Sequence, residues 1–435
     1  MKKLLFVFII ILSAANIYPH DEEITNAAES EAAAETPVKK EPPRMKNRAF
    51  ELGIANINFG ITNNLAGLGD IFNSERVLYI DYNNLKNGFN FGVDLNIRPL
   101  YFNINSKDKW GFGLDIANIK AYGNIDISGD LLNLNRTNRD DFGVGASVFA
   151  DVGLPIFFHV KNVGGKELKI NFRPAGFITV LYAKPDMRYT LKEVTTDGIR
   201  SLYMEVNYAA RLYTPVSLDP EMDMMSTLDI GRAVGFDINL GAEYPLFRWL
   251  DIGVNFSGVP IVPSRLNYYM EVKDKMSMDT SGVNISDFFN DDTGMDNLLD
   301  EIFSFPENSE ITYGSGKDKY FTRPFKFITY ANYRPFKFTS PLFTLTPMVG
   351  LSINDIFVQS VSPEAGVNFR CDFSNIFITS LGIHYTDQLW KNSIEMILNL
   401  RILELGIGIT MQSRDFLMSW QAAGLNVDFS LKIGF

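Results

Sequence analysis

The chain has 435 residues, of which 46% are hydrophobic, 13% aromatic and 21% charged. That composition is too apolar and aromatic for a disordered chain and slightly less charged than an average soluble protein. A formal net charge of -11 argues against nucleic acid as a partner, and the single cysteine, Cys371, cannot form an intramolecular disulfide.

The N-terminus has the order of an export signal: Met1-Lys2-Lys3, an apolar run from Leu4 to Leu12, then small residues Ser13-Ala14-Ala15. Residues 1–19 are assigned to a signal peptide, with cleavage between Ala15 and His20, and losing Lys2 and Lys3 takes the charge from -11 to -13. The run is shorter than the ~20 apolar residues of a spanning helix, and no later segment reaches that length. Cys371 is far from the cleavage zone, so no lipid anchor is expected.

Residues 20–44 form a polar linker of Ala, Glu and Pro with little to bury. Residues 45–87 are rich in Gly and Asn and do not alternate cleanly for long, which predicts a compact, partly irregular hatch or plug ahead of a sheet. From Gly88 onward a period of two persists. Phe89, Phe91, Val93, Leu95 and Ile97 alternate with Asn90, Gly92, Asp94 and Asn96. Phe236, Ile238 and Leu240 alternate with Asp237 and Asn239. The last run sets Leu425, Val427, Phe429, Leu431, Ile433 and Phe435 against Asn426, Asp428, Ser430, Lys432 and Gly434.

Many of these runs reach the ~9 to 11 residues of a tilted membrane strand. The expected fold is all-β, a transmembrane antiparallel barrel over 88–435 with about 14 strands (range 12–16) and the N-terminal plug. Periodicity does not say which face is inside, so a soluble all-β protein fits the alternation equally. The export signal, the long strands and the C-terminal aromatic, Phe435, favour the membrane. Aromatics near strand ends, Tyr101, Phe102, Tyr244, Trp249, Tyr385, Trp390 and Trp420, are expected in interfacial girdles.

A long acidic extracellular loop is expected over 273–319. Within it Phe288, Phe289, Leu298, Leu299, Ile302 and Phe303 recur at near-helical spacing. They would either fold an apolar stripe onto the barrel rim or offer a greasy surface for substrate capture. The chain holds three histidines, of which His384 shares lumen parity with Gly382 and Thr386. No Gly-x-Ser-x-Gly elbow, phosphate-binding loop or metal-ligand spacing accompanies them, so no catalytic residue, metal or cofactor is expected. The predicted inward set, Asn90, Asp94, Asn96, Asp237, Asn239, Glu243, Asp251 and Asn255, is polar enough to hold water.

With its signal, its Gly/Asn-rich run Asn56-Ile57-Asn58-Phe59-Gly60-Ile61-Thr62-Asn63-Asn64-Leu65-Ala66-Gly67-Leu68-Gly69-Asp70 and its many strands, the layout resembles the FadL-type channels for long-chain fatty acids and other hydrophobic molecules. The resemblance implies an outer-membrane location and gating of the lumen by Phe59, Gly60, Asn63, Asn64, Gly67, Gly69 and Asp70. It further implies capture of a hydrophobic small molecule by the long loops and lateral release toward the bilayer. Phe435 looks like the C-terminal aromatic used by outer-membrane barrel assembly machinery. A diffusion porin for small polar solutes, a surface adhesin or structural barrel, and a barrel enzyme using His384 remain open.

Overall fold

The computed structural model describes residues 48–64, 89–106, 109–127, 136–138, 142–184, 186–196, 199–222, 230–247, 249–279, 310–335, 343–355, 360–374, 376–400 and 402–434. The strands in chain order begin with β1 (Phe50–Asn63), β2 (Phe89–Arg98), β3 (Leu100–Ser106), β4 (Trp110–Ile127), β5 (Arg136–Asn138), β6 (Phe142–Gly153) and β7 (Ile156–Val163). There follow β8 (Lys166–Ala183), β9 (Asp186–Thr196), β10 (Ile199–Thr214), β11 (Val234–Phe247), β12 (Leu250–Val262), β13 (Ser264–Asp279), β14 (Glu310–Phe321) and β15 (Phe325–Tyr333). The last are β16 (Phe343–Ile353), β17 (Val361–Phe373), β18 (Phe377–Thr386), β19 (Leu389–Asn399), β20 (Leu403–Ser413) and β21 (Gly424–Gly434). Two short helices, α1 (Ile230–Ala233) and α2 (Phe416–Trp420), interrupt the order.

Consecutive segments that share neighbours join end to end: β2 with β3, β5 to β7, β8 with β9, β10 with β11, β12 with β13, and β14 with β15. They form fourteen antiparallel staves, and the pairing of β1 with β21, from Glu51↔Gly434 to Ile61↔Leu425, closes the ring. Closure satisfies the edge that an open sheet would leave unpaired.

The alternation reads apolar-out, polar-in. Phe91, Phe236, Leu240, Ile252, Ile407, Ile409 and Val427 are exposed on the outer wall, while Asn90, Asp237, Asp251 and Asn426 are buried within. An apolar exterior around a polar interior is the pattern of a membrane barrel, not of a soluble one. Aromatics collect near both rims: Phe247, Trp249 and Tyr333 make ring contacts at the short-turn rim, and Tyr385, Trp390, Phe416 and Trp420 at the other. Tyr101 departs from the expected girdle; it turns inward at 3% exposure, its ring lying over Gly53, where any side chain would collide, and under the Arg98 guanidinium.

Three neighbouring staves are bent at one level. Pro99, with no N–H to give the ladder, separates β2 from β3; Leu154-Pro155 separates β6 from β7; between them Ala117 in β4 adopts φ 53. The extra residue is a β-bulge that shifts the register between Asp115 and Asn118, so Ile116 and Ile119 both face out. A left-handed alanine is costly, and Ala117→Gly is expected to raise stability by ~0.5–1 kcal/mol while Ala117→Val lowers it by ~1–2 kcal/mol. Urea midpoints in lipid check both.

Two expected boundaries move. The segment 45–87 is not wholly a plug: Phe50–Asn63 is a stave paired with β2, β3 and β21, so the barrel begins at Phe50 rather than residue 88. The physical reason is that β1 does alternate, with Ile57, Phe59 and Ile61 out and Asn58, Gly60 and Thr62 in; Asn56, Asn58 and Gly60 belong to the lumen face. The acidic loop also shortens, because Ser264–Asp279 and Glu310–Phe321 pair with each other as a hairpin extended upward, and Lys273 is opposite Glu310. The connection 280–309 lies outside the described residues, as do the signal, the linker, residues 65–88 and Phe435.

Candidate functional site

The site is the barrel lumen. Its elements are inward-facing side chains delivered by alternation from nearly every stave. A central cavity of about 430 Å³ touches β1, β2, β4, β6, β8, β11, β12, β15, β19 and β20. Its lining is dominated by polar and charged groups, among them Asn58, Asn90, Asp94, Lys120, Arg173, Arg323, Lys326, Asp387, Lys391 and Gln412.

Around the cavity an alternating chain of ion pairs links six staves. Arg98 binds Asp115, which also accepts from Arg173 at 2.8 Å; Arg173 donates to Asp151 at 2.7 Å; Arg323 binds both Asp151 and Asp237. Asp115, Asp151 and Asp237 are 3%, 1% and 2% exposed, so these carboxylates have exchanged hydration for guanidinium contacts. Such pairs are stable only while each charge keeps its partner. A second group joins Lys326 to Glu364 (3.3 Å) and Asp387 (2.7 Å), with Lys391 3.4 Å from Asp387. Asp387 and Gln388 form the two-residue turn between β18 and β19, both at positive φ (54 and 63). This turn carries the Asp387 carboxylate into the cavity lining.

Two charges on the cavity have no ion-pair partner among the described residues. Asp94 is opposite Tyr122 and Asn96 opposite Lys120, which makes Asp94 and Lys120 diagonal neighbours on the inner face, yet no salt bridge joins them.

Beside the polar cavity an apolar patch breaks the polar-in rule. Phe149, Phe177, Tyr182, Phe321, Leu266 and Ala233 form one buried cluster, with Tyr122, Ile178 and Tyr213 packed against it. Tyr182 and Phe321 are 4.9 Å apart between ring centroids, and the Arg323 guanidinium is 4.9 Å from the Phe177 ring. Phe149 and Tyr122 belong to both patch and cavity, so apolar and cationic surfaces are continuous.

Of the residues expected to gate, Phe59 faces outward at 44% exposure and cannot reach the lumen. Gly60 faces inward against Asn426 and Gln412; Asn63 donates to the Ala423 carbonyl; Asn64 accepts from the Asn90 backbone N–H at 2.8 Å. Gly60 and Asn63 lie along the closing seam, and Asn64 ties the end of β1 to β2 on its other side. Gly67, Gly69 and Asp70, and the capture residues Phe288, Phe289, Leu298, Leu299, Ile302 and Phe303, lie outside the described residues. His384 does face the lumen, its ring lying against Gly366 and Gly382, where no side chain could fit. Cys371 is a buried free thiol within β17.

The polar inward set read from the sequence meets its partners here: Asp237 binds Arg323, Asp251 binds Arg334, and Glu243 binds Lys169, Tyr330 and Asn332. The cations of the cavity are not among that set. Arg173 follows from inward parity, and Lys120 does so only when counting restarts past the bulge at Ala117; Arg323 sits in the break between β14 and β15, where parity gives no guidance.

No family model matches the sequence, and no curated protein matches it. Solved structures are similar in backbone. The toluene transporter TbuX of Ralstonia pickettii is 11% identical with a TM-score of 0.43, over 90% of this chain and 93% of that one. A FadL homologue of Pseudomonas aeruginosa is 8% identical with a TM-score of 0.40, over 90% and 91%. The toluene transporter TodX of Pseudomonas putida is 8% identical with a TM-score of 0.36, over 89% and 91%.

Proposed function

We propose that the chain is an outer-membrane channel for uptake of small hydrophobic molecules, in the manner of the hydrocarbon transporters to which it is similar. The carrying observation is the inward aromatic patch. A lumen built for water has no use for Phe149, Phe177 and Phe321 on its inner wall, whereas an apolar solute leaving water gains ~25 cal/mol for each Å² it buries there. The bent staves around Pro99, Ala117 and Pro155 supply a weakened stretch of wall through which such a solute could leave sideways. The segment 65–88 and the connection 280–309 are assigned the gating and capture roles.

The test is binding of a fluorescent hydrophobic probe to refolded protein, followed by its transfer into vesicles. Phe149→Ser with Phe321→Ser is expected to weaken binding at least tenfold, about 1.4 kcal/mol, with the folded barrel retained on a heat-modifiability gel. Unchanged binding would remove the patch from the pathway. A polar pore is the second reading, favoured by the charged lining of the central cavity; steady conductance without probe binding would establish it.

A further inference from the structure

The lining of the central cavity carries an excess of positive charge. Five cations, Lys120, Arg173, Arg323, Lys326 and Lys391, line it against two carboxylates, Asp94 and Asp387, in a chain whose net charge is -11. The carboxylates that balance the arginines, Asp115, Asp151 and Asp237, are set back in the wall and saturated by them. An ammonium has three donors. Lys326 contacts two carboxylates and Lys391 one, while Lys120 has no ion-pair partner among the described residues, so the lysines keep N–H groups to offer a ligand.

The cations also make a path. Lys319, Arg323 and Lys326 descend one stave from the mouth. There Lys319 lies 5.2 Å from the Tyr182 ring beside a smaller hollow of about 230 Å³. At the lower end Lys326, Lys391 and Lys120 share the central cavity. Low-dielectric walls focus such a field and raise the local concentration of the opposite ion.

We propose that the lumen binds and passes small water-soluble oxyanions, carboxylates or phosphates, with Lys120 and Lys391 as the holding groups and Lys319 and Arg323 as the approach. The approach passes the rings of the aromatic patch, but the holding groups Lys120 and Lys391 are not part of it, and the proposal does not rest on hydrophobic uptake.

The experiment uses the refolded full chain in planar bilayers across a KCl gradient, with titration calorimetry in detergent micelles using inorganic phosphate, acetate and a long-chain fatty acid as probes. The comparison is with Lys120→Gln/Lys391→Gln, which leaves Asp387 paired to Lys326, and with Lys109→Gln, exposed in the short turn between β3 and β4, as control. The expected results are preference for chloride over potassium and saturable binding of phosphate or acetate. The double variant should lower each by roughly threefold or more, as loss of focused charge requires, and the control should change neither. A barrel closed to ions still answers through calorimetry. Phosphate or acetate binding lost while the hydrophobic probe still binds supports two routes. Cation preference, absence of saturable phosphate and acetate binding, binding of the fatty acid alone, or parallel loss of anion and hydrophobic probe in the double variant would each overturn the proposal.

Discussion

Deleting residues 45–87 is expected to abolish the folded barrel, whereas deleting 66–86 leaves fourteen staves in place. The longer deletion removes β1, and with it the ladders to β2 and β21 that close the ring. Two unpaired edges would then face hydrocarbon, where each unsatisfied backbone group costs several kcal/mol. The shorter deletion spares Phe50–Asn63, Asn64 and its bond to Asn90, and removes only the segment assigned to gating. A heat-modifiable band on electrophoresis reports folding in both. If the longer deletion still gives a folded, conducting barrel, β1 is a plug after all and the seam lies elsewhere.

Arg323→Met is expected to cost about 3–5 kcal/mol of unfolding free energy, because it leaves Asp237 buried without its cation and Asp151 with Arg173 alone. The loss comes from the stranded charge more than from the missing attraction. Adding Asp237→Asn to the same background should therefore recover most of it, which no simple loss of packing against Phe177 would allow. Urea unfolding in lipid for the two single variants and the double variant measures the coupling. A double variant no better than Arg323→Met alone would show that the guanidinium contributes chiefly through its contact with the aromatic rings.

The barrel itself was written plainly in the sequence, since a closed sheet between lipid and water must alternate, and β20 and β21 do so at every position from Leu403 to Thr410 and from Leu425 to Gly434. The first stave departs from the expected plug for a reason of the same kind. Asn56, Asn58 and Gly60 suggest a turn-rich plug by composition, but composition weighs both faces together, and here these small polar residues occupy the inner one. Pro99 and Ala117 reverse parity in mid-stave, so alternation counted from the start of either stave puts its far half on the wrong face. The cavity was less legible. Asp94 could be placed inside by counting, but Lys120 needs the bulge at Ala117, and the reach of Arg323 to Asp151, 172 positions away, depends on how staves curve around the lumen, which no local spacing encodes.

The seam between the first and last staves has a kinetic meaning. Hairpins such as β18 with β19 join residues only a few positions apart, so they can form early and at little cost in chain entropy. Ile61 and Leu425 are some 360 positions apart. By loop-closure scaling, bringing them together costs about 3 kcal/mol more than closing a ten-residue turn. The seam is thus the slow, late event of assembly. A chain stalled before it would hold a nearly complete sheet with β21 free along one edge, the state in which an assisting partner would meet the C-terminal strand.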